Sequence, residues 1–139
     1  MLCLGVAAAG PAAPASARTL PAIRTPSGNI DCIFQSGPPG RLLCGIRQAD
    51  YAQRLQDRCT ATASLDWHGF ELLPYRKGTY VCAGGILVNP TDHPHYVTLA
   101  YGKTWRRGPF TCYSRSSGLS CGNHTGHGLF LSRETWRRW

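Results

Sequence analysis

The chain has 139 residues, with 15 Lys+Arg against 7 Asp+Glu and a net charge of +8. At 42% hydrophobic and 16% charged it is too apolar for a disordered chain and too interrupted by polar residues for a membrane bundle. With 16 Gly, 10 Pro and 7 Cys, the composition is that of one small, basic, loop-rich domain built on disulfides, with turns favoured over long helices.

Residues 1–17, MLCLGVAAAGPAAPASA, carry no charged side chain. An apolar stretch over residues 2–9 leads into a Pro/Ala segment. Ala15-Ser16-Ala17 then supplies the small-x-small pattern of a signal-peptidase site ahead of Arg18. The apolar stretch is too short to cross a bilayer. Residues 1–17 are expected to be a signal peptide without the usual basic start, and 18–139 a single disulfide-bonded β domain, extracellular or periplasmic. A lipid anchor on Cys3 is the rival reading, disfavoured because Leu2 before it is not a small residue.

Seven segments rich in β-branched, aromatic or alternating apolar residues predict strands: 29–35, 41–47, 70–73, 79–83, 96–101, 109–114 and 119–122. Between them lie turn sequences such as Ser36-Gly37-Pro38-Pro39-Gly40, Arg76-Lys77-Gly78 and Asn89-Pro90-Thr91-Asp92. Residues 47–58 contain no Gly or Pro and predict one helix, with a thin apolar stripe of Ala49, Ala52 and Leu55. Residues 132–139 predict a second short helix capped by Ser132. The fold class expected is mainly β: a small disulfide-stapled antiparallel sheet or barrel-like domain with at most one or two short helices.

Six cysteines follow the signal segment: Cys32, Cys44, Cys59, Cys82, Cys112 and Cys121. An even number in an exported chain reads as a disulfide framework. Ile30-x-Cys32 with Leu43-Cys44-Gly45, and Phe110-x-Cys112 with Ser120-Cys121-Gly122, each read as strand, Gly-containing turn, strand, with one cysteine per strand. Cys32–Cys44 and Cys112–Cys121 are therefore expected as cross-strand staples, and Cys59–Cys82 follows by elimination. The CxxC spacing of a zinc site is absent. Neither a metal nor an organic cofactor is expected.

Several segments resemble a family of small exported bacterial proteins whose function is not known, found mainly in actinobacteria and proteobacteria. They are Thr25-Pro26-Ser27-Gly28-Asn29-Ile30-Asp31-Cys32, Leu65-Asp66-Trp67, Leu99-Ala100-Tyr101-Gly102, Trp105-Arg106-Arg107-Gly108-Pro109-Phe110-Thr111-Cys112, Ser117-Gly118-Leu119-Ser120-Cys121 and Gly126-His127-Gly128-Leu129-Phe130-Leu131-Ser132-Arg133. The resemblance covers nearly all of 24–139 and implies an exported, disulfide-bonded, mainly β domain with no known activity. The family pattern has a cysteine just before Leu-Asp-Trp, where this chain has Ser64, which leaves the Cys59 and Cys82 pairing open. It also has Gly-Asp-Thr where this chain reads Gly84-Gly85-Ile86.

No catalytic motif is present: neither Gly-x-Ser-x-Gly nor His-Glu-x-x-His occurs. Asp66 and Glu71 are the one close carboxylate pair weighed for glycan hydrolysis. His93, His95, His124 and His127 place four imidazoles in two expected loops, where they either bind a metal beside Asp92 or simply hydrogen-bond at turns. Asn123-His124-Thr125 is a formal glycosylation sequon.

Binding has the better claim, because thirteen of the basic residues are arginine, whose planar fork suits phosphate and carboxylate. Arg106 and Arg107 beside Trp105, and Arg133, Arg137 and Arg138 around Trp136, are the anion-binding candidates if the two segments are neighbours. The simpler reading is a solubilising surface with the tryptophans in the core. The expected partner is an anionic cell-envelope polymer or lipid headgroup, with a secreted protein as a further partner class and nucleic acid disfavoured. The alternatives are a small exported hydrolase of an envelope polymer, or an inhibitor of a secreted protein.

Overall fold

The computed structural model describes residues 8–13 and 17–139; most of the expected signal segment, Cys3 included, lies outside the described residues. Strands β1 (Thr19–Arg24), β2 (Ile30–Gln35), β3 (Arg41–Ile46), β4 (Asp66–Leu72), β5 (Thr79–Ala83) and β6 (His93–Thr98) form one sheet in the order β5-β4-β3-β2-β1-β6. Strands β7 (Thr104–Arg107), β8 (Phe110–Arg115), β9 (Gly118–Asn123), β10 (Gly128–Leu131) and β11 (Trp136–Arg138) form the second as consecutive hairpins, in the order β11-β10-β9-β8-β7. All described pairings are antiparallel except β1 with β6. Helix α1 (Ala52–Ala63) connects β3 to β4.

The fold is mainly β, and its two sheets share one core. Alternate residues of β2, β3, β8 and β9 point inward: Ile30 and Cys32, Leu42 and Cys44, Phe110 and Cys112, Leu119 and Cys121 are all buried. Cys32 stands directly opposite Cys44, and Cys112 directly opposite Cys121. Both pairs are disulfides, and so is Cys59–Cys82, which ties α1 to β5. The sulfurs of Cys32, Cys44 and Cys121 lie within 4.8 Å of one another, so the two cross-strand staples meet between the sheets. Beside them an aromatic cluster joins the sheets, with Trp136 5.2 Å from Phe70 and 6.0 Å from Tyr80 by ring centroid.

Several elements differ from the sequence reading. Strand β1 contains Pro21, which argues against a strand; its pairing with β2 starts only at Ala22, so the missing N–H faces no partner there. Strands β7, β10 and β11 are too short to carry a visible alternation. The helix runs over Ala52–Ala63 rather than 47–58, because backbone bonds hold the preceding loop: Arg47 N–H donates to Asn29 O (2.9 Å) and Asp50 N–H to Arg133 O (2.8 Å). It ends at Ser64, whose left-handed conformation closes the last turn. Residues 132–139 are not a helix. Ser132 Oγ does accept the Thr135 N–H (3.1 Å) as a cap would, but the Thr135 carbonyl takes the Ser132 N–H (2.9 Å), and the chain turns back as β11 with Trp136 packed on the core.

The Asn123-His124-Thr125 sequence is structural. Asn123 Nδ2 donates to Leu73 O (2.8 Å) and Arg76 O (2.9 Å), while its Oδ1 accepts from the N–H groups of Thr125 (3.0 Å) and His127 (3.1 Å). This one amide ties the β9–β10 turn to the β4–β5 turn. Asn123→Ala is expected to lower unfolding free energy by about 2 kcal/mol, read by denaturant melts of the oxidised protein. Ser114 is 0% exposed and its hydroxyl has no partner among the described residues. Ser114→Ala is expected to raise stability in the same melts, by about 1 kcal/mol.

Candidate functional site

A hollow of about 470 Å³ opens at one end of the two sheets. Its walls are chain reversals: the β1–β2 turn, the β8–β9 turn and the β10–β11 turn, with Arg47 and Gln48 after β3 and Tyr101 from the connection between the sheets. Each wall is held by local bonds. In the first, Gly28 N–H donates to Thr25 O (2.8 Å), Ile30 N–H donates to Thr25 Oγ1 (3.2 Å), and Gly28 adopts φ +72°, which glycine tolerates. Asn29 then clamps the next wall: its Oδ1 accepts Gln48 N–H (2.8 Å) and its Nδ2 donates to Gln48 O (3.0 Å). In the β8–β9 turn a Cβ on Gly118 would lie 2.5 Å from Leu131 O, so only glycine lets β10 approach here.

Three arginines line the hollow: Arg47, Arg115 and Arg133. Arg47 and Arg115 each follow a staple cysteine, Cys44 and Cys112, by three residues. Arg47 reaches Asp31 (3.3 Å), but that carboxylate is held more closely by Arg24 (2.7 Å), whose guanidinium ionisation is raised chiefly by this hydrogen bond. Arg133 lies 3.6 Å from Asp50, and Arg115 stacks on the Tyr113 ring at 4.8 Å with no carboxylate partner among the described residues. Among the described residues Glu134 is the one acidic group in the lining. The hydroxyls of Ser27, Ser116 and Ser117 complete the surface. The arrangement offers forked cationic donors among neutral hydrogen-bonding groups, which suits a carboxylate or phosphate that also carries hydroxyls.

Of the arginines singled out from sequence, only Arg133 is here. Arg106 and Arg107 lie exposed on β7, while Arg137 and Arg138 lie exposed on β11, the opposite edge of the same sheet. Three strands separate them, about 19 Å at ~4.8 Å per strand, so the two segments are not neighbours. Trp105 and Trp136 are half-buried against the core, and Arg137 covers the Phe130 ring at 4.6 Å. Arg47 and Arg115 carry no mark in the sequence, since neither sits in a run of basic residues. Thr25–Ile30, Tyr101, Ser117-Gly118 and Ser132-Arg133 belong to separate motifs in the sequence, and the fold brings them to the border of one hollow.

The other candidate groups disperse. His93 and His95 are on strand β6 rather than in a loop, and His124 and His127 belong to the β9–β10 turn. Asp92 is buried against Arg18 (3.3 Å). His127 Nδ1 lies 3.2 Å from Trp139 O. Among the described residues the grouped metal-ligating atoms are the Cys32, Cys44 and Cys121 sulfurs, and all three are in disulfides. Asp66 and Glu71 lie five residues apart along β4, about 16 Å of extended chain at ~3.3 Å per residue, with a register shift between Trp67 and Phe70 separating them. Glu71 is paired with Arg41 (3.1 Å).

The fold and the hollow define a small two-sheet, disulfide-stapled domain with an arginine-lined cleft at one end. The sequence matches the family of unknown function DUF6636 over residues 2–137, and the chain belongs to that family. No curated protein matches the chain, and no solved structure matches it.

The β10–β11 wall of the cleft is braced by Tyr51, 2% exposed, whose hydroxyl donates to Ser132 O (2.9 Å). Burial, then the charges of Asp50 and Glu134, push this phenol's ionisation well above its ordinary value. A raised value means that the contribution is complete below the ordinary tyrosine pKa of about 10 and is lost only as pH rises past it. Tyr51→Phe is expected to cost about 1–2 kcal/mol, equally at acid and neutral pH, in denaturant melts.

Proposed function

We propose that this chain is an exported, non-catalytic binding module that holds an anionic component of the cell envelope in the arginine-lined cleft. The observation that carries the reading is the convergence of Arg47, Arg115 and Arg133 with serine hydroxyls on one concave surface that includes a single acidic residue. A net charge of +8 adds long-range attraction for anions, and the cleft supplies the short-range fork geometry. Export is supported by three disulfides, which persist in oxidising compartments. No helix among the described residues is long and apolar enough to cross a membrane.

The test is co-sedimentation of the oxidised protein with envelope fragments across a salt series. Binding is expected at low salt and is expected to fall steeply as salt rises. The triple variant Arg47→Gln, Arg115→Gln, Arg133→Gln is expected to lose at least about tenfold in affinity, since each charge-assisted contact contributes roughly 1.5–3 kcal/mol. Arg106→Gln with Arg107→Gln, which removes charge outside the cleft, is expected to weaken binding far less than the triple variant. No binding by the parent at low salt, or undiminished binding by the triple variant, overturns the reading.

A further inference from the structure

A second, smaller hollow of about 300 Å³ lies directly beside the cleft. Two arginines of α1, Arg54 and Arg58, line it together with Thr135 and Trp136. They are four residues apart on the helix, so they project from one face. Both are exposed, and neither has an ion-pair partner among the described residues.

The two hollows share a wall. Tyr51 lines the second, and its hydroxyl donates to the carbonyl of Ser132, which lines the first. Glu134 faces the first and the next residue, Thr135, faces the second. The β10–β11 turn is thus a low ridge with cationic ground on both sides: Arg47, Arg115 and Arg133 before it, Arg54 and Arg58 beyond it. The acidic groups nearby are Glu134 on the ridge, Asp31 between Arg47 and Arg24, Asp50 on Arg133, and Asp57, which accepts from Gln53 (2.8 Å). Positive charge repeated across a ridge matches a ligand whose negative charge repeats along a chain. A single headgroup or free anion fills one hollow and gains nothing from the other.

The lining selects among such chains. Ser27, Ser116, Ser117 and Thr135 offer hydroxyls, and Tyr101, 48% exposed, presents a ring at the rim of the first hollow. Hydroxyls that pair with hydroxyls, a ring that covers a flat apolar sugar face, and forked cations that take carboxylates together fit a polyhydroxylated acid. We propose that the two hollows are successive subsites for one linear acidic polysaccharide, crossing the Ser132–Thr135 turn with carboxylates on both sides. This rests on the cleft being the binding site and adds the ligand's class and a second contact surface.

Titration calorimetry with galacturonic acid and with oligogalacturonides of increasing length tests it on the oxidised full chain. Affinity is expected to climb with length, with a step where the oligomer first spans the ridge, because the second contact becomes intramolecular. Arg54→Gln with Arg58→Gln is expected to remove that step, weakening long oligomers by about tenfold or more while leaving short ones unchanged. If the double variant binds long oligomers like the parent, the second subsite is overturned while the cleft stands. If no oligogalacturonide binds but envelope fragments still do, the polysaccharide class is overturned. If neither binds, the cleft reading falls with it.

Discussion

The two cross-strand disulfides that touch between the sheets govern this molecule. Cys32–Cys44 and Cys112–Cys121 lie at directly opposed positions, so each fixes the register of its hairpin. In a sheet with one buried face, a slip of one residue would turn every inward side chain to solvent. The staples forbid that slip in both sheets, at the level where the sheets meet. Positions three residues further on are then fixed as well, and two of these are the cleft arginines Arg47 and Arg115. A chain of this size buries a modest core, and local cross-links supply rigidity that apolar packing alone would not.

The parts of the fold that were legible in sequence are those with a strong local signature. Cysteine-bearing strands around glycine turns announce their own pairing, and 79–83 matches β5 residue for residue. The parts that were not legible depend on distant partners. Strand β6 starts at His93 because it lies parallel to β1, more than sixty residues earlier in the chain, a pairing that no local pattern contains. Ser132 carries the chemistry of a helix cap yet closes a hairpin, since Trp136 gains more from Phe70 and Tyr80 than a short terminal helix gains from its own bonds.

The cleft was half legible for a related reason. Turn residues such as Ser27, Gly28, Ser117 and Gly118 stand out in sequence, but their common destination does not, because it is set by which ends of which hairpins share an edge. Density of charge along the chain pointed to Arg106-Arg107 and Arg137-Arg138, which the sheet order separates. Isolated arginines at strand ends and turns converge instead. In an architecture built mainly from hairpins, residues gather at an end of the sandwich by strand polarity and not by proximity in sequence.

The order of the strands has one more consequence. Everything from β1 to β6 belongs to one sheet and everything from β7 to β11 to the other, with a single crossing at Leu99–Lys103. Each disulfide closes within its own side of that crossing. A nick at exposed Ala100–Lys103 would therefore leave two fragments, each covalently complete, held to one another without a covalent link by the shared core, a few backbone bonds and side-chain ties such as those of Asn123, Tyr51 and Arg133. Thr25–Asn29 and Arg47 belong to one fragment, while Arg115, Ser117 and Arg133 belong to the other. The cleft is thus a seam, present only while the halves are mated, and it reports on their union as the parting line of a mould reports on its two shells.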